Sequence, residues 1–67
     1  MKILINGNIK QFDGENMTIS ALVVTLNLVG KRLAIEKNGE IVPRSQFVAV
    51  LLRNGDKLEI VGAVGGG

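Results

Sequence analysis

The sequence predicts an α+β fold, a mixed sheet of four to five strands with one main helix across one face. Three observations lead there. The chain has 67 residues, room for one domain. Three Asn-Gly dipeptides, at positions 6–7, 38–39 and 54–55, separate short runs rich in Ile, Leu and Val, and Asn-Gly favours the positive φ angles of tight turns between strands. Between the first two of these turns the apolar period changes to that of a helix.

The elements follow in order. Lys2 to Asn6 reads as a strand, Asn6-Gly7 as a hairpin turn, and Ile9 to Phe12 as the returning strand. Asp13 to Asn16 is a polar loop. Ile19, Leu22, Val23, Leu26 and Val29 fall at i, i+3, i+4, i+7 and i+10, one face of a helix. Thr18 suits its N-cap, Met17 and Leu22 the two positions of a hydrophobic staple, and Gly30 the left-handed residue that ends it. Leu22, Val24, Leu26 and Leu28 also alternate as a strand would; length and the two caps favour the helix.

Arg32 to Lys37 is a third strand, turning at Asn38-Gly39 into the short return Glu40 to Val42. Pro43 has no amide hydrogen for a ladder and interrupts pairing. Arg44 to Phe47 reads as one helical turn, and Val48 to Leu52 as irregular or briefly extended. Asn54-Gly55-Asp56 leads into the last strand, Lys57 to Val61. The helix gives a connection long enough for parallel pairing, so the first and last strands are expected side by side in the sheet centre. That arrangement is the β-grasp, or ubiquitin-like, fold. Residues 1–62 form this domain and 63–67 a flexible tail ending in Gly-Gly. Ile3, Ile5, Leu58 and Ile60 are expected to pack on Leu22, Val23 and Leu26. Glu59, Val61 and Ala63 then share the opposite face of the last strand and suggest a docking strip leading to the tail.

Composition narrows the function. Cysteine and histidine are both absent, which excludes their nucleophile-base pairs and metal sites. Eight basic against six acidic side chains give a net charge of +2, but only Lys31 and Arg32 are adjacent and Phe12 and Phe47 are the only aromatics. Nucleic-acid binding wants a clustered basic face or stacking aromatics, and neither is visible. No stretch of about 18 apolar residues and no signal peptide is found, so no membrane partner is expected and the cytoplasm is the default compartment. No GxGxxG or P-loop motif occurs. A carboxylate pair for acid–base work stays open beside the alternative of a solvated surface. An enzyme active site within the domain is not expected.

The tail remains. With Gly at roughly 7% of residues, three in a row at one terminus arise by chance well under one time in a thousand. They read either as a plain flexible end or as a functional one. Without Cβ atoms, Gly65, Gly66 and Gly67 can thread a channel too narrow for side chains. They would present a bare carboxylate to another protein's active site. ATP can activate that carboxylate as an acyl-adenylate, and a sulfur nucleophile can then displace AMP to leave a thiocarboxylate. In a chain without thiols, carried sulfur must sit on the terminal carboxyl.

Asn38-Gly39-Glu40-Ile41-Val42-Pro43-Arg44-Ser45-Gln46-Phe47 resembles the central segment of thiamine-pathway sulfur carriers, the ThiS family. Asn54-Gly55-Asp56, Leu58-Glu59-Ile60-Val61, Val64-Gly65-Gly66-Gly67 and the first strand, Lys2 to Gly7, fit the same pattern in order. The resemblance spans essentially the whole chain. It implies a carrier rather than an enzyme, with no bound cofactor. An adenylating, E1-like partner would use ATP and a sulfur donor to convert Gly67 to a thiocarboxylate. Thiazole synthase would receive the sulfur, and the free carrier would be a monomer. Gly66 is then the second glycine of the pair, and Val64 and Gly65 belong to the segment that enters the partner. Phe47 stands where many members carry tryptophan, and the three glycines leave open which pair is recognised. Two alternatives stand beside this reading. One is the small subunit of molybdopterin synthase, usually longer and with prolines before its diglycine. The other is a ubiquitin-like modifier or interaction module.

Overall fold

A computed structural model describes Met1 to Gly62; residues 63–67, read above as the tail, lie outside the described residues. Strand β1 (Lys2–Ile5) turns back into β2 (Asn8–Gln11) through Asn6 and Gly7. Both turn residues have positive φ, 49° and 84°, as a two-residue hairpin matching the strand twist requires. The same geometry recurs at Asn38 and Gly39, φ 52° and 89°, between β4 (Leu33–Lys37) and β5 (Glu40–Val42). The last strand, β7 (Lys57–Gly62), completes a five-stranded sheet in the order β2-β1-β7-β4-β5. β1 and β7 pair in parallel, with Ile5 opposite Leu58, and the other pairs are antiparallel. The expected sheet, with the first and last strands adjacent, is therefore present.

Two short strands do not follow the expectation. β3 (Asn16–Thr18) and β6 (Leu51–Arg53) pair antiparallel as a separate two-stranded sheet. The sequence reads Asn16 as loop and Thr18 as cap, and Leu51 and Leu52 as irregular or briefly extended; the second of those alternatives is the one present. Three-residue strands show almost no period, and each is extended because of a partner far away in sequence.

The helix α1 (Ile19–Thr25) starts where predicted. Thr18 Oγ1 accepts from the Ala21 amide at 3.0 Å. The amides of Ile19 and Ser20 donate to the carbonyls of Val50 and Phe47, at 3.1 and 2.9 Å. Three of the four donors that every helix leaves open are thus satisfied, two of them by the segment that follows the 3-10 turn at Arg44–Gln46.

The helix ends earlier than Gly30. Asn27 takes the left-handed conformation, φ 59°; its amide donates to Val24 O at 3.0 Å, and that of Leu28 donates to Val23 O at 2.9 Å. These are the two bonds of a Schellman cap, with Asn in the place glycine usually takes. Val23, Val24 and Thr25 are β-branched and favour early termination. Gly30, also at positive φ, belongs to the following turn. Val29 therefore lies beyond the helix and is 67% exposed, not on its buried face.

Ile3, Ile5, Ile19, Leu22, Ile35, Val42, Leu52 and Leu58 form the core, and no polar side chain among the described residues is buried. Val23, Leu26, Phe47 and Ile60 are half-buried against it. The expected contact of the sheet with the helix holds for Ile3, Ile5, Leu58 and Leu22, while Val23, Leu26 and Ile60 sit at its margin. The shortened helix is the reason, since Leu26 occupies the cap and not the helix interior.

Candidate functional site

β7 is the last described element, next in sequence to residues 63–67, and it is held from both sides. The Asn6 side chain behaves like an extra strand residue. Its Oδ1 accepts from the Ile60 amide at 2.7 Å and its Nδ2 donates to the Ile60 carbonyl at 2.9 Å. Parallel pairing with β1 is thereby carried past the point where β1 turns away. At the other end, Asn38 Oδ1 accepts from the Lys57 amide at 2.9 Å, and Asn38 Nδ2 donates to Asp56 Oδ1 at 3.1 Å. Both asparagines had read only as turn residues. Their second role arises because a positive-φ asparagine at the end of one strand faces the backbone of the central one.

β4 runs antiparallel along the other edge of β7, with Ile35 opposite Ile60, Glu36 opposite Glu59, Ala34 opposite Val61 and Leu33 opposite Gly62. This register fixes the faces. Ile35 and Leu58 are buried, so Glu59 and Val61 lie on the side away from the core, as expected. Glu59 is exposed and Val61 is 57% exposed. Ala63, the third residue of the expected strip, lies outside the described residues, as do Val64, Gly65, Gly66 and Gly67.

The sheet adds residues that sequence reasoning missed. Glu36 sits directly across from Glu59, and Ile41, 73% exposed, pairs with Glu36 from the other side. Like charges directly opposite disfavour pairing, and Lys57, on the same outward face of β7, lines one shallow depression with both glutamates. Nothing local in the sequence marks these residues as neighbours.

Phe47 is half-buried and packs on the core. Arg44 is exposed, with Nη2 donating weakly to the Lys31 carbonyl at 3.4 Å. Among the described residues no three acidic side chains gather into a group able to hold a metal ion, and no helix is long and apolar enough to cross a membrane. What the described residues form is a central strand held on both sides, with one solvent-facing face of apolar and charged side chains.

The model of the ThiS family matches residues 3–67. In structure, the chain is similar to the crystal structure of a thiamine biosynthesis protein (ThiS) from Geobacter metallireducens, with a TM-score of 0.88, 30% identity and full coverage of both chains. The solution structure of a thiamine biosynthesis protein from the same organism gives a TM-score of 0.80, covering all of this chain and 88% of that one. In sequence, it is 45% identical over its whole length to a thiazole synthase of Paramagnetospirillum magneticum and 33% identical to one of Magnetococcus marinus. The chain spans 20% of the length of each of these relatives.

Proposed function

This chain belongs to the ThiS family, and we propose that it is a sulfur carrier whose C-terminal glycine, Gly67, is converted to a thiocarboxylate for building the thiazole ring of thiamine. The observation that carries the reading is that the family match runs through the glycine tail to residue 67. An adenylating enzyme would let a Gly67 carboxylate oxygen attack the α-phosphorus of ATP, releasing pyrophosphate. A sulfur nucleophile would then attack the acyl carbon and expel AMP. The domain supplies no catalytic group to either step. Its work is presentation, with residues 1–62 as the folded domain and 63–67 as the segment another protein takes up. Five residues beyond Gly62 reach at most about 17 Å when extended, so the partner must bring its active site close to the end of β7.

Thiazole synthase is the proposed acceptor of the sulfur. That two relatives named thiazole synthase each contain a segment similar to this whole chain supports the pairing, since in them the segment and the rest of the protein share one polypeptide.

The test is incubation with the adenylating enzyme of the same source, ATP and a sulfur donor, followed by intact-mass and fragment analysis. One oxygen of Gly67 should be replaced by sulfur; modification at any other residue counts against the reading. Deleting the gene should create a requirement for thiamine or its thiazole precursor while molybdoenzyme activity persists, and the opposite pair of phenotypes would move the assignment to molybdopterin synthesis.

A second expectation concerns the strip on β7. Val61→Asp places a charge where the proposed contact with the adenylating enzyme is desolvated, so binding should fall about ten-fold or more. Folding should lose no more than about 1 kcal/mol, the span of strand propensities at an exposed position. Normal affinity in this variant, read by calorimetry beside its thermal unfolding, removes Val61 from the docking surface.

A further inference from the structure

On the opposite side of the molecule the Schellman turn leaves a groove of about 260 Å³ between α1, the following loop and the 3-10 turn. Its floor is apolar, formed by Val23, Leu28, Leu33 and Phe47. Val24 and Val29, both at its edge, are 65% and 67% exposed. Apolar side chains thus line the groove from its half-buried floor to its exposed edge.

Two features indicate what occupant it fits. The first is charge. Lys31 and Arg44 stand on the rim and no acidic residue lines the groove; from Met17 to Ile35 the chain contains no Asp or Glu at all. The Arg44 guanidinium is drawn toward the loop by its bond to the Lys31 carbonyl, so both cations flank the same opening. The second is position. Leu33, part of the floor, is the residue paired with Gly62, the last described residue of β7. The groove therefore opens at the end of the sheet where β7 stops at Gly62.

We infer that this groove is a docking site for thiazole synthase, receiving an acidic segment of that protein. One bulky apolar side chain of that segment fills the floor and a neighbouring carboxylate pairs with Lys31 and Arg44. The inference rests on the carrier reading, and thiazole synthase is the partner it concerns.

The experiment is calorimetric titration of the full chain into the thiazole synthase of the same source at low and at physiological salt. The double variant Lys31→Glu/Arg44→Glu should bind at least ten-fold more weakly than the native chain and show a flatter salt dependence. Val24→Asp should also weaken binding several-fold, and Arg44→Lys should retain most of it. All three altered side chains are exposed, so thermal unfolding should match the native chain. Binding of the double variant within two-fold of native overturns the groove assignment alone, with the tail chemistry intact by mass analysis. Failure of the native chain to bind thiazole synthase overturns the carrier reading and this inference together.

Discussion

Leu22→Ala should cost about 2–5 kcal/mol of stability. Leu22 is fully buried in the middle of α1 and belongs to the same cluster as Ile3, Ile5 and Leu58. Shortening it removes apolar contacts and leaves a cavity, and both terms disfavour the native state. A domain of this size holds a total of only around 5 kcal/mol, so at the upper end of the range about half of the variant is unfolded at room temperature. Leu26→Ala is the informative control. Leu26 is half-buried at the helix cap, and its truncation should cost on the order of 1 kcal/mol, the typical effect of a point substitution. Urea unfolding of both variants measures the difference. Equal costs would mean that the helix continues past Leu26 in solution, and a loss at Leu22 below about 0.5 kcal/mol would contradict the packing described here.

Removing Gly66 and Gly67 should abolish thiocarboxylation while leaving the fold unchanged. The described hydrogen bonds and the core all lie within residues 1–62, so truncation at the tail touches none of them. The reacting carboxylate, however, would move two residues closer to the domain and fall short of the partner's active site. Gly66→Ala separates reach from width. It keeps the length and adds one Cβ, so affinity for the adenylating enzyme should be largely retained while the adenylation rate falls by an order of magnitude or more if the channel admits only glycine. Pyrophosphate release measures the rate and calorimetry the affinity. Native rates in Gly66→Ala dispose of the narrow-channel argument but leave Gly67 as the reacting residue. Native yields of thiocarboxylate in the truncated chain dispose of the carrier reading itself.

Local signals in the chain were enough for the turns, the start of the helix and the inward face of the main strands. Asn-Gly takes positive φ at both residues of the two hairpin turns and at Gly55 alone in the third, Thr18 caps with its own hydroxyl, and a strand's side chains alternate whatever lies beside it. These are short-range properties, and Asn6-Gly7, Thr18, Asn38-Gly39, Leu58 and Val61 behave as read. The glycine tail and the absence of thiols pointed to the C-terminus by the same kind of elimination.

Tertiary structure decided the rest because it depends on partners far apart in sequence. β3 and β6 are strands only because Met17 meets Leu52. The helix stops at Asn27 and not at Gly30 because β-branched residues and a two-bond cap end it first. The Asn6 and Asn38 side chains extend the pairing of β7 by bonding to backbone more than fifty and nearly twenty residues away. The acidic pair Glu36–Glu59 and the cation-rimmed groove beside Leu33 exist only once β4 and β7 are in register. Residue identity determined which side chains were available to the surface around the tail, but cross-strand register, a property of the assembled sheet, determined which of them became neighbours.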